Sequence, residues 1–470
     1  MKRSTLLLML PVLASTALHS QSEQIDRTKP PATGPIPDVK IQHIERFRLP
    51  NGLEIVTAED NRFPLTTFEL AFMAGSKFDP ADLPGLSDSV AALINQGTAT
   101  RSAQQIAELS ADLGGRISAT SIPDTLTISG SCLSENVKRF IDLLADVARK
   151  ASFPEDEVQL QKQNRLQQLR AERSDPAFLG RETVAKTLFA STPYAHIGPT
   201  EQALNRLDRA SLEHFRDTYL VPNNAFLVIV GKLPSKDEVE KLITASFGSW
   251  EKKDVPDFKA PSIPANKKQL VLVDRPSSVQ ANVFSAHVSP TWGSSDIFPI
   301  EVGDRILGGG ANSRLFMDIR EKRSFAYDAH SETDLLKDAG TVMSVTEVRN
   351  EVVQPAIQAL NDDMQALSKE NVGSAELTDA KNSYAGIFIL RLERQTALAR
   401  QLLRVETMGL PKDFLDTYMT HVRSVEPDEI RRVAKYWDPG DATLVVVGDA
   451  QKIQKSLEGF GTVQVQKPQP

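Results

Sequence analysis

Seven histidines lie along this 470-residue chain, His19, His43, His196, His214, His287, His330 and His421, and no two fall within five residues of one another. No local stretch therefore carries the clustered ligands of a metal site. Cys132, the only cysteine, sits in a strand-like run without a nearby base, and no Gly-x-Ser-x-Gly turn presents a serine nucleophile. Gly308-Gly309-Gly310 lacks the lysine of a phosphate loop. One helical face does have the spacing of a metal site. Leu86, Val90, Leu93 and Ile94 recur at helical period, which turns Asp88, Ala91 and Ala92 to the opposite side as i, i+3 and i+4 neighbours. A catalytic zinc needs about three protein ligands and a water, with a base to take the water's proton. One carboxylate beside two methyl groups supplies neither.

The elements that would position such a face come in two similar sets. Pro222 to Gly231 reads as a turn and then a buried strand, and Pro439 to Gly448 reads the same way 217 positions later. Shifting Phe68–Phe72 by the same interval lands on Ser285–Ser289, again strand-like by alternation. A duplicated unit accounts for these pairs together. Helical periodicity covers 86–95, 103–113, 135–150 and 155–173, while Thr125 to Ser129 alternates as a half-buried strand. Helices and strands do not alternate strictly, so the expected class is α+β: two homologous domains, each a mainly antiparallel sheet with helices on one face.

Lys2 and Arg3, the apolar run Leu6–Leu13 and small residues Ala14, Ser15 and Ala17 have the order of a secretory signal peptide. The expected organisation is a signal peptide over 1–20, a proline-rich tether over 21–38, a first domain over 39–251, a linker over 252–268 and a second domain over 269–466. No later run is apolar and long enough to span a bilayer. Export without disulfides points to a bacterial periplasm. The formal net charge of -7, from 54 basic and 61 acidic residues, provides no excess positive potential for nucleic acid.

Leu49-Pro50-Asn51-Gly52-Leu53-Glu54-Ile55-Val56, then Ala74-Gly75-Ser76, Gly85-Leu86 and Gly97-Thr98, resemble the opening of insulinase/pitrilysin-type peptidases. Leu307 to Phe316, running into Ile319 to Tyr327, resembles the family's C-terminal motif. The resemblance covers nearly all of the chain after the leader, in the family's order. It implies a two-domain polypeptide that forms half of a clamp. Active relatives carry His-x-x-Glu-His between the Gly-Leu and the Gly-Thr. Aligned without a gap, the first ligand position holds Asp88, the general-base position Ala91 and the second ligand position Ala92. By spacing, Gln168 stands where the family's third ligand, a glutamate, belongs. No metal or other cofactor is thus expected on this chain.

Arg320 and Tyr327 match an Arg-x6-Tyr pair that the family contributes from a C-terminal domain to the zinc site of a facing N-terminal domain. The resemblance then implies a non-catalytic subunit of a heterodimeric peptidase, with zinc in a homologous partner. An extended peptide would be the substrate, and Arg320 and Tyr327 would bind it and stabilise its oxyanion. An inert assembly scaffold with the peptidase fold is the alternative.

Overall fold

The apolar runs pair into two six-stranded sheets in a computed structural model that describes residue 41 and residues 44–468. The signal-peptide and tether assignments lie outside the described residues. The first sheet contains β1 (Ile44–Arg48), β2 (Glu54–Glu59), β3 (Leu65–Phe72), β4 (Arg116–Ser121), β5 (Leu126–Leu133) and β6 (Ala225–Gly231), in the spatial order β1-β2-β6-β3-β5-β4. The second contains β7 (Gln269–Asp274), β8 (Gln280–Val288), β9 (Ala326–Leu335), β10 (Gly340–Arg349), β11 (Thr443–Gly448) and β12 (Val463–Gln466), in the order β12-β7-β11-β8-β10-β9. Replacing β2, β6, β3, β5 and β4 by β7, β11, β8, β10 and β9 converts five consecutive strands of one order into five of the other, as a duplicated unit requires, while the remaining strands differ: β1 pairs antiparallel with β2 and β12 parallel with β7. Pairing is antiparallel except for β2 with β6, β7 with β11 and β7 with β12.

Alternation decides which side of each strand is covered. Phe68, Leu70 and Phe72 of β3 face a core with the helices Leu86–Leu93, Val137–Lys150 and Lys236–Phe247. Thr67, Glu69 and Ala71 face the other way. That second face is closed by a helix from the other half of the chain, Gln395–Met408, which lies on β3 and β6. Gln395 donates to the Asp60 carbonyl at 3.1 Å, and Arg46 pairs with Glu406 at 2.9 Å. The reciprocal exchange places Pro176–Phe189 on β8 and β11, with Leu179, Val184 and Leu188 against Val271, Phe284 and Val445. Within each half the helices gather on one face, and one borrowed helix covers the other.

Observed helices Leu86–Leu93, Ala103–Asp112, Val137–Lys150 and Glu155–Ser174 follow the periodic segments to within two residues at each end. Residues 251–268 form neither helix nor strand. Among the described residues no helix is long and apolar enough to cross a membrane.

Candidate functional site

The Leu86–Leu93 helix starts at Gly85, whose φ of 88° and closeness to Pro199 leave no room for a side chain: an added Cβ would lie 2.6 Å from Pro199 Cβ. The Gly85 and Ser87 N–H groups donate to Asp79 at 2.7 and 2.9 Å, so a carboxylate from outside the helix caps its positive end. Burial nonetheless pushes Asp79 up to about 7. Leu86, Val90, Leu93 and Ile94 enter the core as their spacing requires. Ala91 joins them at 3% exposure instead of sharing an open face with Asp88, whereas Ala92 is exposed. Eight residues make little more than two turns, and the helices around this one reach past its narrow apolar stripe.

Asp88 is half-buried and has no hydrogen bond or ion pair among the described residues. Burial raises its pKa, the Arg165 guanidinium opposes that rise, and the Glu172 carboxylate adds to it. Arg165 and Glu172 come from the Glu155–Ser174 helix, joined by a 2.9 Å Nη1–Oε2 bond. Gln168 lies between them in sequence, exposed, with its amide donating to Glu172 at 2.9 Å. Sequence spacing singles out Gln168 but not its neighbours. Their i, i+7 separation, two helical turns, is the one local signal that both face Asp88. Among the described residues no group of three or more His, Cys, Asp or Glu side chains could hold a metal ion. A catalytic zinc does not fit here: Asp88 is the one carboxylate on the helix, the other two motif positions are alanines, Ala91 turned into the core and Ala92 exposed, a neutral amide occupies the third ligand position, and a guanidinium already provides the local positive charge.

Arg320 and Tyr327 meet elsewhere. Phe316–Lys322 is a π-helix, a wide turn that recurs at functional sites. It closes through Ser324, whose φ of 55° is left-handed, with Ser324 N–H donating to the Arg320 carbonyl and Phe325 N–H to that of Ile319, each at 3.0 Å. The chain then enters β9. There Thr346 faces Ala329 and Val348 faces Ala326, so three steps on β9 match two on β10. The extra residue is a bulge at Tyr327 and Asp328, a device that re-aims side chains. Tyr327 emerges 85% exposed. The Arg320 guanidinium lies 4.5 Å from the Phe316 ring centre and 4.8 Å from that of Tyr327. Two aromatic faces thus orient the charge. Among the described residues the Arg320 side chain has no polar partner apart from a 3.4 Å pair with Glu321, and the Tyr327 hydroxyl has none. The Tyr327 hydroxyl and the guanidinium nitrogens of Arg320 other than Nε present donors to solvent.

At about 3.3 Å per strand residue, Tyr327 stands roughly 17 Å from Glu332, and Glu332 lines a separate cavity of about 430 Å³. Asp79 and Asp88 line one side of this cavity, the exchanged Pro176–Phe189 helix and the segment after it another, and the β9–β10 hairpin a third. Sequence reading has no signal for it, because its walls come from segments brought together by the helix exchange.

Residues 54–197 match the family described as Insulinase (Peptidase family M16), and residues 206–384 match the Peptidase M16 inactive domain. An uncharacterized zinc protease YmxG of Bacillus subtilis is 22% identical over 412 residues, 86% of this chain and 98% of that protein. A protein of Helicobacter pylori named non-peptidase homolog YmxG is 22% identical, covering 87% of this chain and 94% of its own. Among solved structures, a peptidase M16 inactive domain from Pseudomonas fluorescens superposes with a TM-score of 0.80 at 24% identity, over 86% of this chain and 98% of that one. A protease from Helicobacter pylori superposes with the same TM-score at 20% identity, over 87% and 100%. Fold and site together define a peptidase-like protein built on a duplicated α+β unit, with Asp88, Ala91 and Ala92 where the motif's ligands and base would stand. The chain belongs to the M16, insulinase-type peptidase family.

Proposed function

We propose that this chain is the non-catalytic subunit of an exported heterodimeric peptidase, most simply periplasmic, whose zinc is carried by a homologous partner. Arg320 and Tyr327 enter the partner's site, bind the peptide main chain and stabilise the oxyanion that forms as water attacks. The observation that carries this reading is the Arg320 guanidinium held between Phe316 and Tyr327, with only a 3.4 Å pair to Glu321 among the described residues. Tyr327 is also the second residue of β9, the last strand of its sheet among the described residues, and an extended peptide can add to such an edge. The order of Lys2, Arg3 and Leu6–Leu13 supports export.

The test is co-purification of the native protein, followed by assay of the isolated and recombined chains on a quenched-fluorescent peptide. A homologous chain with an intact His-x-x-Glu-His motif should accompany it, and hydrolysis should need both chains. Full activity from the partner alone would instead leave this chain a scaffold.

A further inference from the structure

The two halves differ in one layer of their cores. Leu227 of β6 and Leu444 of β11 are equivalent, and ladder register fixes the rest of that layer. In the first sheet Leu227 pairs with Leu70, and Leu70 with Ile128. In the second Leu444 pairs with Ser285, and Ser285 with Ser344. Leu70 and Ile128 are fully buried in the first core, so two serines stand where the duplicate has a leucine and an isoleucine. Ser344 Oγ is sealed and has no partner. Ser285 is 2% exposed, and its hydroxyl also lacks a hydrogen bond among the described residues, but it is not sealed: the residue lines a hollow of about 230 Å³. Buried hydroxyls are normally satisfied, so one that opens into a hollow calls for a partner there. The other walls carry neutral polar groups. Gln358, Asn361 and Gln365 project at i, i+3 and i+7 from the Val353–Lys369 helix, and Gln269 comes from the start of β7. Gln358 commits an amide N–H to Asp362, and Gln365 its carbonyl to Lys369. That leaves a carbonyl on the first and the amide N–H groups on the second. The side chains of Gln269 and Asn361 have no hydrogen bond among the described residues. Phe460 adds an apolar surface, no carboxylate lines the hollow, and its one charged group is the exposed Lys268.

We propose that this hollow binds a neutral monosaccharide ring, its hydroxyls bonded to Ser285 Oγ and to the amides of Gln269, Asn361 and Gln365. A sugar hydroxyl both donates and accepts, and so does a primary amide. Four amides and a hydroxyl therefore match a polyol, whereas an ion would need an opposite charge held in the wall. A volume of about 230 Å³ lies below the ~300 Å³ at which pockets for larger organic ligands begin, which suits a single ring. Phe460 gives the apolar C–H face of that ring a surface to lie on. The ring is either a free sugar or the terminal unit of a glycan, since both present the same hydroxyls.

The experiment uses this chain alone, so its failure leaves the two-chain assay untouched. The full chain is titrated calorimetrically with glucose, galactose, mannose and N-acetylglucosamine, and with cyclohexanol, a ring of the same size with one hydroxyl. Saturable binding of at least one sugar, about tenfold tighter than cyclohexanol, is expected. Ser285→Leu restores the residue type that the first core carries at this place, so it should keep or raise the thermal midpoint while abolishing sugar binding. Asn361→Ala, at a half-buried helical position, should also keep the midpoint and weaken binding about tenfold. For the sugar that binds, the disaccharide ending in it is then tested. Equal or tighter binding of the disaccharide marks a glycan end as the ligand, and its exclusion marks the free sugar. The proposal is overturned if no sugar of the four binds below about 10 mM, if cyclohexanol binds as well as the sugars, or if Ser285→Leu binds them unchanged.

Discussion

Lys77 Nζ, from the turn after β3, lies 2.7 Å from Asp338 Oδ2 in the β9–β10 turn, and this contact joins residues 261 positions apart. The same ammonium reaches Asp124 at 2.8 Å, whose side chain is 0% exposed, and it sits 4.5 Å from the Phe258 ring centre. Asp124 in turn accepts the Lys337 N–H at 2.8 Å. Both halves and the segment connecting them therefore converge on one buried cation.

Removing one partner of a buried ion pair strands the other's charge, at a cost of about 3–5 kcal/mol. Lys77→Met should lower stability by that order in urea unfolding, since Asp124 has no solvent to turn to. Adding Asp124→Asn should recover much of the loss. A single variant as stable as the parent would mean that the triad holds nothing together.

The helix exchange has an equally specific test at Gly180. A Cβ there would fall 2.0 Å from Phe284 Cε2, inside the contact between the Pro176–Phe189 helix and β8. Gly180→Ala gains helix propensity, yet overpacking of this kind costs about 1–3 kcal/mol. The midpoint of thermal unfolding should fall. Phe284→Leu in the same chain should relieve part of the added loss, because the ring is the obstacle.

What could be read from the residues alone follows the range of the forces involved. The 217-residue offset survives because a strand's apolar run is a local property, and Ile229 and Val446 occupy equivalent central strands. The loss of metal ligands at Ala91 and Ala92 is equally local, being a matter of i, i+3 and i+4 on one helix. Arg165 and Glu172 escape notice because their nearness to Asp88 depends on how two helices pack, which periodicity does not encode. The pattern also leaves Ala91 looking open, while packing buries it. Neither the exchanged helices nor the cavity behind them has a sequence signature: Gly180 is an ordinary helical glycine until Phe284 arrives from another domain.

The acidic hollow beneath the π-helix should give the protein a pH-dependent stability. Burial, reinforced by the Asp318 carboxylate, pushes Asp363 from the ordinary 3.8 up to about 6, and its Oδ2 has no hydrogen-bond partner. A carboxyl raised on folding stabilises the fold fully below its unfolded pKa and loses that contribution as pH climbs through the folded value. Stability should thus decline between about pH 4 and 6 from this group. Asp363→Asn should remove the decline and add about 1–2 kcal/mol at pH 7, the full linkage value being discounted for solvent screening. At pH 4 the variant and parent should unfold at the same urea concentration.

Arg320 and Tyr327 can be separated by what each substitution leaves behind. Arg320→Lys keeps the charge but loses the planar group that stacks between Phe316 and Tyr327. Tyr327→Phe keeps the ring and loses only the hydroxyl. If the two donors act on an oxyanion, each change should lower kcat of the recombined peptidase, by about 10²–10³-fold for a lost donor, with KM moving much less. Arg320→Lys should also weaken KM, because an unstacked ammonium is no longer held in place. Tyr327 is 85% exposed, so its loss should leave the thermal midpoint unchanged, which separates a defect in chemistry from one in folding. A fall in activity that tracks a fall in stability would remove the pair from the active site.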